Sequence, residues 1–448
     1  MSTEKKSMFV TADGKNVLFT FILVSSLFLL WGFCNGMIDV MDKHFQEELH
    51  LTLAQSANVQ WAHYLGYFLM ALPAGWLATK LGYKGGIIAG LLMVAVGGFW
   101  FIPASHIAKF WAFLVGVCFI AAGLTFLETI ANPYTTVLGP KQFAATRINL
   151  AQSCNGIGWI FGPIAGSMFF YGKDATGKST GAETLWIPYA GVAVVVIILA
   201  VIFYFANVPD IKTEDDYHLD DAAPGASHSI WAHPHFVLAV VAQFFYVAAQ
   251  SGIFAFFINY MTSQVPAVPG SWNSFMREGW LETGPDGALH LSNGFASILA
   301  SAGFVCFLLG RFTGAMLLKK FSAHKMLGAY ALLNVLICLL IFAKLGWISV
   351  VCVFLSYFFM SIMFPTIFAL GIFGLGARAK KASSFIVMAI MGGALLPKLM
   401  GAIADKYDVS RGFIVPAACF AIVAGYGFFW ARLSKAESLN GINATRGH

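Results

Sequence analysis

Twelve apolar stretches, each long enough to cross a bilayer, leave this 448-residue chain few ways to fold. A spanning helix needs about 20 mostly apolar residues. The stretches run over 17–40, 54–78, 85–104, 110–138, 148–170 and 185–206, then 236–261, 292–318, 326–343, 348–375, 384–404 and 413–433. Inside lipid every backbone N–H and C=O must be satisfied within the protein, so runs of this length read as helices. Composition agrees: 58% of the residues are hydrophobic and 11% charged, where soluble domains carry about 25% charged residues. The expected fold class is an all-α membrane protein with twelve transmembrane helices in two pseudo-symmetric six-helix bundles.

The expected domains are a tail 1–16, a first bundle 17–206, a linker 207–235, a second bundle 236–433 and a tail 434–448. The halves echo one another, since Pro133 and Pro365 each open a P-x4-L-G pattern late in the fourth helix of their half. Parallel halves of this kind are a recurring transporter design, with a substrate site between them near the midplane. Lys and Arg gather in the loops on one side, which predicts that both termini are cytoplasmic. The charge of +6 comes from those loop residues and not from a nucleic-acid-binding patch. The seven cysteines lie inside apolar runs without CxxC spacing, so neither a metal site nor a disulfide is expected.

Polar residues inside the runs are the functional candidates. Glu128 stands alone in the fourth run and Asp39 near the end of the first. A carboxylate at bilayer depth costs roughly 2.5–3.5 kcal/mol on insertion scales, so it usually marks an ion or substrate path. Amides and further polar groups fall at helical spacing: Asn35 with Asp39, Glu128 with Asn132, Gln152 with Asn155, and Gln243, Tyr246 and Gln250. Amides both donate to and accept from hydroxyls, and Trp31, Tyr246 and Phe364 offer aromatic faces, so the set suits a sugar. The carboxylates suit coupling to a proton, with sodium as the rival ion. Arg311, Lys80 and Lys84 are candidate gate residues. Gly158, Gly162 and Gly166 lie four apart, a spacing that lets helices approach closely. No nucleophile–base cluster marks an enzyme, and a drug–proton exporter remains the alternative from another class.

The segments FLLWGFCNGMIDVMDKHFQ, FLETIANPYTTVLGP, RINLAQSCNGIG, VAQFFYVAAQ, LLGRFTGAMLL and FPTIFALGI resemble the fucose–proton symporter family, which includes glucose/galactose transporters and belongs to the major facilitator superfamily. The resemblance implies import of fucose or another hexose by proton symport through alternating access, with a disaccharide or amino sugar as alternatives. It places the family's coupling aspartate on Asp39, its fourth-helix glutamate on Glu128, and its glutamine and asparagine on Gln152 and Asn155. Ile38 and Phe364 stand where such fucose permeases tend to carry asparagine and tyrosine. No cofactor beyond the coupling ion is expected. The partners are a sugar, a proton and the lipid bilayer of the inner membrane, and the chain is expected to act as a monomer.

Overall fold

A computed structural model describes residues 8–10, 14–139, 144–171, 184–208, 229–274, 276–284, 287–318, 321–373, 375 and 379–434. Most of the expected linker (209–228), the tail 435–448 and residues 1–7 lie outside the described residues. Among the described residues, ten helices are long and apolar enough to cross a membrane. The other two expected spans, 54–78 and 148–170, fall largely on the helices Asn58–Ile107 and Ala144–Phe169. In chain order the helices are α1 Leu18–Glu48, α2 Leu53–Ser56, α3 Asn58–Ile107, α4 Phe110–Val137, α5 Ala144–Phe169 and α6 Trp186–Phe205. They continue as α7 Pro234–Ala255, α8 Phe257–Ser263, α9 Asn293–Leu317, α10 Ala323–Phe342, α11 Trp347–Met360, α12 Met363–Ile372, α13 Ala379–Met388, α14 Gly392–Lys406, α15 Val409–Gly412 and α16 Ile414–Ser434.

Local chemistry explains several boundaries. α3 carries the second and third expected spans, broken at Gly82, whose φ of 69° is a left-handed value that glycine adopts without strain. Thr52 caps α2 reciprocally: its hydroxyl accepts from the Gln55 N–H while the Gln55 side chain accepts from the Thr52 N–H. The connection after α8 is not featureless. It contains a short antiparallel hairpin, β1 Leu281–Thr283 with β2 Leu289–Leu291, beside which Trp280 stacks on Phe295.

The chain divides into two compact units. The first comprises Met1–Met37, Gly66–Gly162 and Leu185–Asp216; the second comprises Ile38–Leu65, Pro163–Thr184 and Tyr217–His448.

The first unit is packed through glycines. A Cβ on Gly158 would sit 2.2 Å from the Leu29 carbonyl oxygen, and one on Gly32 would sit 2.0 Å from that of Asn155. Gly162 faces Gly36 in the same way. The backbones of α1 and α5 therefore touch, as the small-residue spacing predicts. Arg147 in this unit is fully buried. It lies within α5 and donates to the carbonyls of Thr135 (3.0 Å), Met8 (3.2 Å) and Gly139 (3.3 Å). Arg147 precedes the expected span 148–170 and so reads from the sequence as a loop cation; its guanidinium instead ties α4, α5 and the N-terminal segment together.

The second unit takes the end of α1, all of α2 and the start of α3, and docks them on α14. The Asp405 carboxylate accepts from the Leu53 N–H (2.7 Å) and the Ala54 N–H (2.8 Å), two donors that the first turn of a helix leaves free. The Lys398 ammonium donates to Asn58 Oδ1 at 3.3 Å.

Candidate functional site

Proline supplies the first elements of the site in the second unit. Its missing N–H leaves the carbonyl four residues back without a helical partner. Pro365 in α12 frees the Ser361 carbonyl, which Arg311 Nε approaches at 3.5 Å. Pro397 in α14 frees the Gly393 carbonyl, which accepts from the Ser251 hydroxyl at 3.3 Å. At the same break between α11 and α12, the buried Tyr246 hydroxyl donates to the Met360 carbonyl at 3.0 Å. Its ring lies edge-on to Phe364, with centroids 6.4 Å apart. Arg311 also lies over the Phe307 ring at 5.0 Å. Tyr246, Arg311 and Phe364, named separately from the sequence, thus meet at one helix break.

Gln243, one turn before Tyr246 on α7, is fully buried, and neither its amide oxygen nor its nitrogen has a partner among the described residues. Gln250 on the same helix is half-buried. A buried amide with nothing to bond to is costly, whereas one facing a polyhydroxylated ligand is satisfied when the ligand is present.

The end of α1 carries a second polar cluster. Asp39 is 7% exposed and Asp42 0%. Their three-residue spacing puts them on one helix face. Gln60, from α3, donates through Nε2 to Asp39 Oδ1 at 3.0 Å and lies 3.5 Å from Asp42 Oδ2. Its other amide atom, Oε1, accepts from the Ser251 hydroxyl at 3.3 Å. The amide orientation is dictated by charge, since the oxygen turned the other way would face two carboxylates. Further along α1, Gln46 donates to Ser56 (2.8 Å) and accepts from Asn259 (2.8 Å).

In the first unit Glu128 is half-buried on α4. Asn155 on α5 is buried and donates to the Phe28 carbonyl at 3.2 Å. Gln152 is half-buried one turn away. Trp31 donates its indole N–H to the Tyr67 hydroxyl at 2.7 Å. Asn35 is buried, and its Oδ1 has no partner among the described residues. Asn132 belongs to α4, but its side chain lies outside the described residues. Of the gate candidates in this unit, Lys84 donates to the Ala206 carbonyl at 2.9 Å, and exposed Lys80 lies over the Trp76 ring at 4.1 Å.

The sequence reading missed Asp42, Gln60 and Ser251. It ended the first span at Val40, whereas α1 continues to Glu48 and keeps Asp42 buried. The three-residue spacing from Asp39 was the available signal for Asp42. Gln60 and Ser251 gave none, because only packing brings them to the carboxylates.

The Major Facilitator Superfamily model matches residues 20–269. The chain is 34% identical to the L-fucose-proton symporter of Escherichia coli over 446 residues, covering 96% of each. It is 32% identical to a glucose/galactose transporter of Brucella abortus over 424 residues, covering 94% of this chain and 96% of the relative. The crystal structure of the Escherichia coli fucose:proton symporter, at 34% identity, aligns with a TM-score of 0.64, covering 93% of this chain and 99% of that one. The D-xylose-proton symporter, at 11% identity, has a TM-score of 0.71 over 94% of this chain and 100% of that one, a likeness of fold. The long match to the family model and the full-length identity to sugar transporters agree with the helical architecture: the chain belongs to the Major Facilitator Superfamily.

Proposed function

We propose that the protein is a secondary active transporter that imports a sugar together with protons by alternating access, without enzymatic chemistry. The observation that carries this reading is the 34% identity to a fucose-proton symporter over 96% of both chains. The buried carboxyl of Asp39, held by Gln60, supports it from the residues. Asp39 and Glu128 carry the coupling proton. Glu128, Asn35, Asn132, Gln152, Asn155, Gln243, Tyr246, Gln250, Trp31 and Phe364 serve the sugar. Fucose or another hexose is the substrate class, and Arg311, Lys80 and Lys84 act as gates. The chain works as a monomer in the inner membrane, organised in sequence as bundles 17–206 and 236–433 about the 207–235 linker, with both termini cytoplasmic and no cofactor.

The energetics are adequate. One charge crossing 100 mV is worth about 2.3 kcal/mol, enough to hold roughly a 50-fold gradient of a neutral solute. The test is proton flux into proteoliposomes on adding each of a panel of neutral sugars, with and without sodium. Alkalinisation outside with one sugar, independent of sodium, is the expected result. Silence with every sugar, or a response that requires sodium, would overturn the coupling assignment.

A further inference from the structure

Asp42 has no part in the transport cycle proposed above, yet it is fully buried beside a residue that has one. The Gln60 amide nitrogen lies within 3.5 Å of an oxygen of both Asp39 and Asp42. Among the described residues, no donor reaches the remaining oxygen of either carboxyl, Oδ2 of Asp39 or Oδ1 of Asp42, although both atoms are buried. A carboxylate away from water is stabilised by donors or by a cation. Here a single amide nitrogen serves two carboxyls. The nearest cation along the helix, Lys43, is turned to Glu47 at 3.4 Å.

Among the described residues, the other groups around the pair are phenols, imidazoles, a hydroxyl and the Glu47 carboxylate. Tyr171 lies within electrostatic reach of Asp42, and its hydroxyl donates to the Val40 carbonyl at 2.9 Å. Tyr357, from α11, lies within reach of Asp39 and is buried. Ser251 is spent on Gln60 and Gly393. His44 packs against Phe170 and Tyr171, and His63 lies one turn beyond Gln60 against Tyr64. Glu47 is bonded to Asn293 as well as to Lys43. Two like charges sharing one donor at such a place are not both ionised, the situation of paired carboxyls that keep a proton between them.

We propose that Asp42 is a positioning residue for coupling: it forms a carboxyl pair with Asp39 across Gln60, and the pair holds one proton. Asp39 then binds the transported proton beside a charged Asp42 and releases it when the site opens to water, so the pair as a unit sets the pH range of transport. The proton enters on one carboxylate oxygen and leaves from the same pair; no bond to carbon or nitrogen changes. Asp42 acts through Asp39 and need not touch the sugar.

The inference rests on the proton-symport reading, and the experiment separates the two. Sugar uptake driven by an imposed proton gradient is measured in proteoliposomes as a function of external pH, for the wild type, Asp42→Asn, Asp42→Glu and Gln60→Leu. If the wild type moves no protons with sugar, the transport reading itself fails. If it does, Asp42→Asn removes the repelling charge, so Asp39 loads its proton only in more acidic solution. The midpoint of uptake moves to lower pH by about one unit or more, while Asp42→Glu, which keeps the charge, stays nearer the wild type. Gln60→Leu, which removes the shared amide, displaces the same profile and serves as the test if Asp42→Asn does not reach the membrane. A profile superimposable on the wild type in either variant overturns the pairing. So does a sodium requirement in the wild type that Asp42→Asn abolishes, because that result assigns the carboxyls to a cation.

Discussion

In the unit where Gly32, Gly158 and Gly162 let α1 and α5 touch, Asn155 ends on a backbone carbonyl, and so does each Arg147 hydrogen bond described above. In the unit that joins Ile38–Leu65 to α7 and α14, Asp39, Gln60 and Ser251 bond side chain to side chain, as Trp31 and Tyr67 do in the first unit, while Tyr246 ends on a backbone carbonyl. In this second unit Gln243, Asp39, Asp42, Asn259 and Tyr357 each keep at least one buried polar atom without a partner among the described residues. The first unit also has such atoms, on Ser25 and Asn35, so the contrast is one of degree. Polar groups anchored to backbone fix helix positions; polar groups anchored to one another, and incompletely, are available to a proton or a ligand. The price in stability falls on the second unit, since each unsatisfied buried group costs about 1–3 kcal/mol.

The comparison breaks most readily at the glycine crossing. Gly158→Leu places a side chain where even a Cβ meets a carbonyl oxygen at 2.2 Å. We expect a loss of about 3 kcal/mol or complete failure to fold, read as the thermal midpoint of the purified protein by size-exclusion chromatography. Gly191→Ala, where nothing lies within 4 Å of the added Cβ, is the control. It should be neutral or stabilising by up to about 1 kcal/mol.

Glu128→Gln keeps the shape and removes the titrating group. Uphill accumulation, roughly 50-fold at 100 mV on the arithmetic above, should collapse to equal concentrations inside and out, measured with radiolabelled sugar. Unchanged accumulation would remove Glu128 from coupling.

Gln243→Leu sharpens the contrast between the units. If the orphaned amide serves a ligand, sugar affinity should fall about tenfold, the worth of a 1.4 kcal/mol interaction, while thermal stability stays level or rises because an unsatisfied amide has gone. A stability loss with unchanged affinity would make Gln243 a structural residue like Asn155.

The smallest effect is expected at the surface of the second unit. Lys344 Nζ lies 2.7 Å from Asp408, which also caps α15 by accepting from the Arg411 N–H at 3.0 Å. Burial alone would raise the Asp408 carboxyl, but the Lys344 hydrogen bond, the Arg411 N–H and the charges of both residues together hold it below the ordinary carboxylate range. A group depressed in the folded state adds stability above its unfolded titration point, near pH 4, and loses it as pH falls through the lower folded value. Asp408→Asn should therefore abolish a shallow drop in thermal midpoint below about pH 4. At pH 7 it should cost little, because asparagine also caps helices well.

Glu128 and Asp39 were legible because a carboxylate in an apolar run is conspicuous against its neighbours, and the paired amides because helical spacing is a local property. Asp42 was not, since hydropathy falls at the Asp42-Lys43-His44 step and suggests the end of a span. Only the packing of α1 beside α3 keeps that turn buried. Arg147 shows the same limit in reverse: basic residues near helix ends read as loop charges, yet this one finds carbonyl partners on three segments. The role of Pro365 and Pro397 was half-visible, because proline announces a freed carbonyl but not that Arg311 and Ser251 would approach it.

The sequence by itself determined that this chain lives in a membrane, how many helices cross, where its exceptional carboxylates lie and which family it resembles. Those properties depend on residue type and on spacing within a single helix. Tertiary structure decided that Asp42 shares Gln60 with Asp39, that Tyr246 and Arg311 meet carbonyls at one helix break, and that Ile38–Leu65 packs with α14. Such pairings join residues far apart in the chain, and in lipid, where apolar surfaces attract one another little, close packing and hydrogen bonds choose among them.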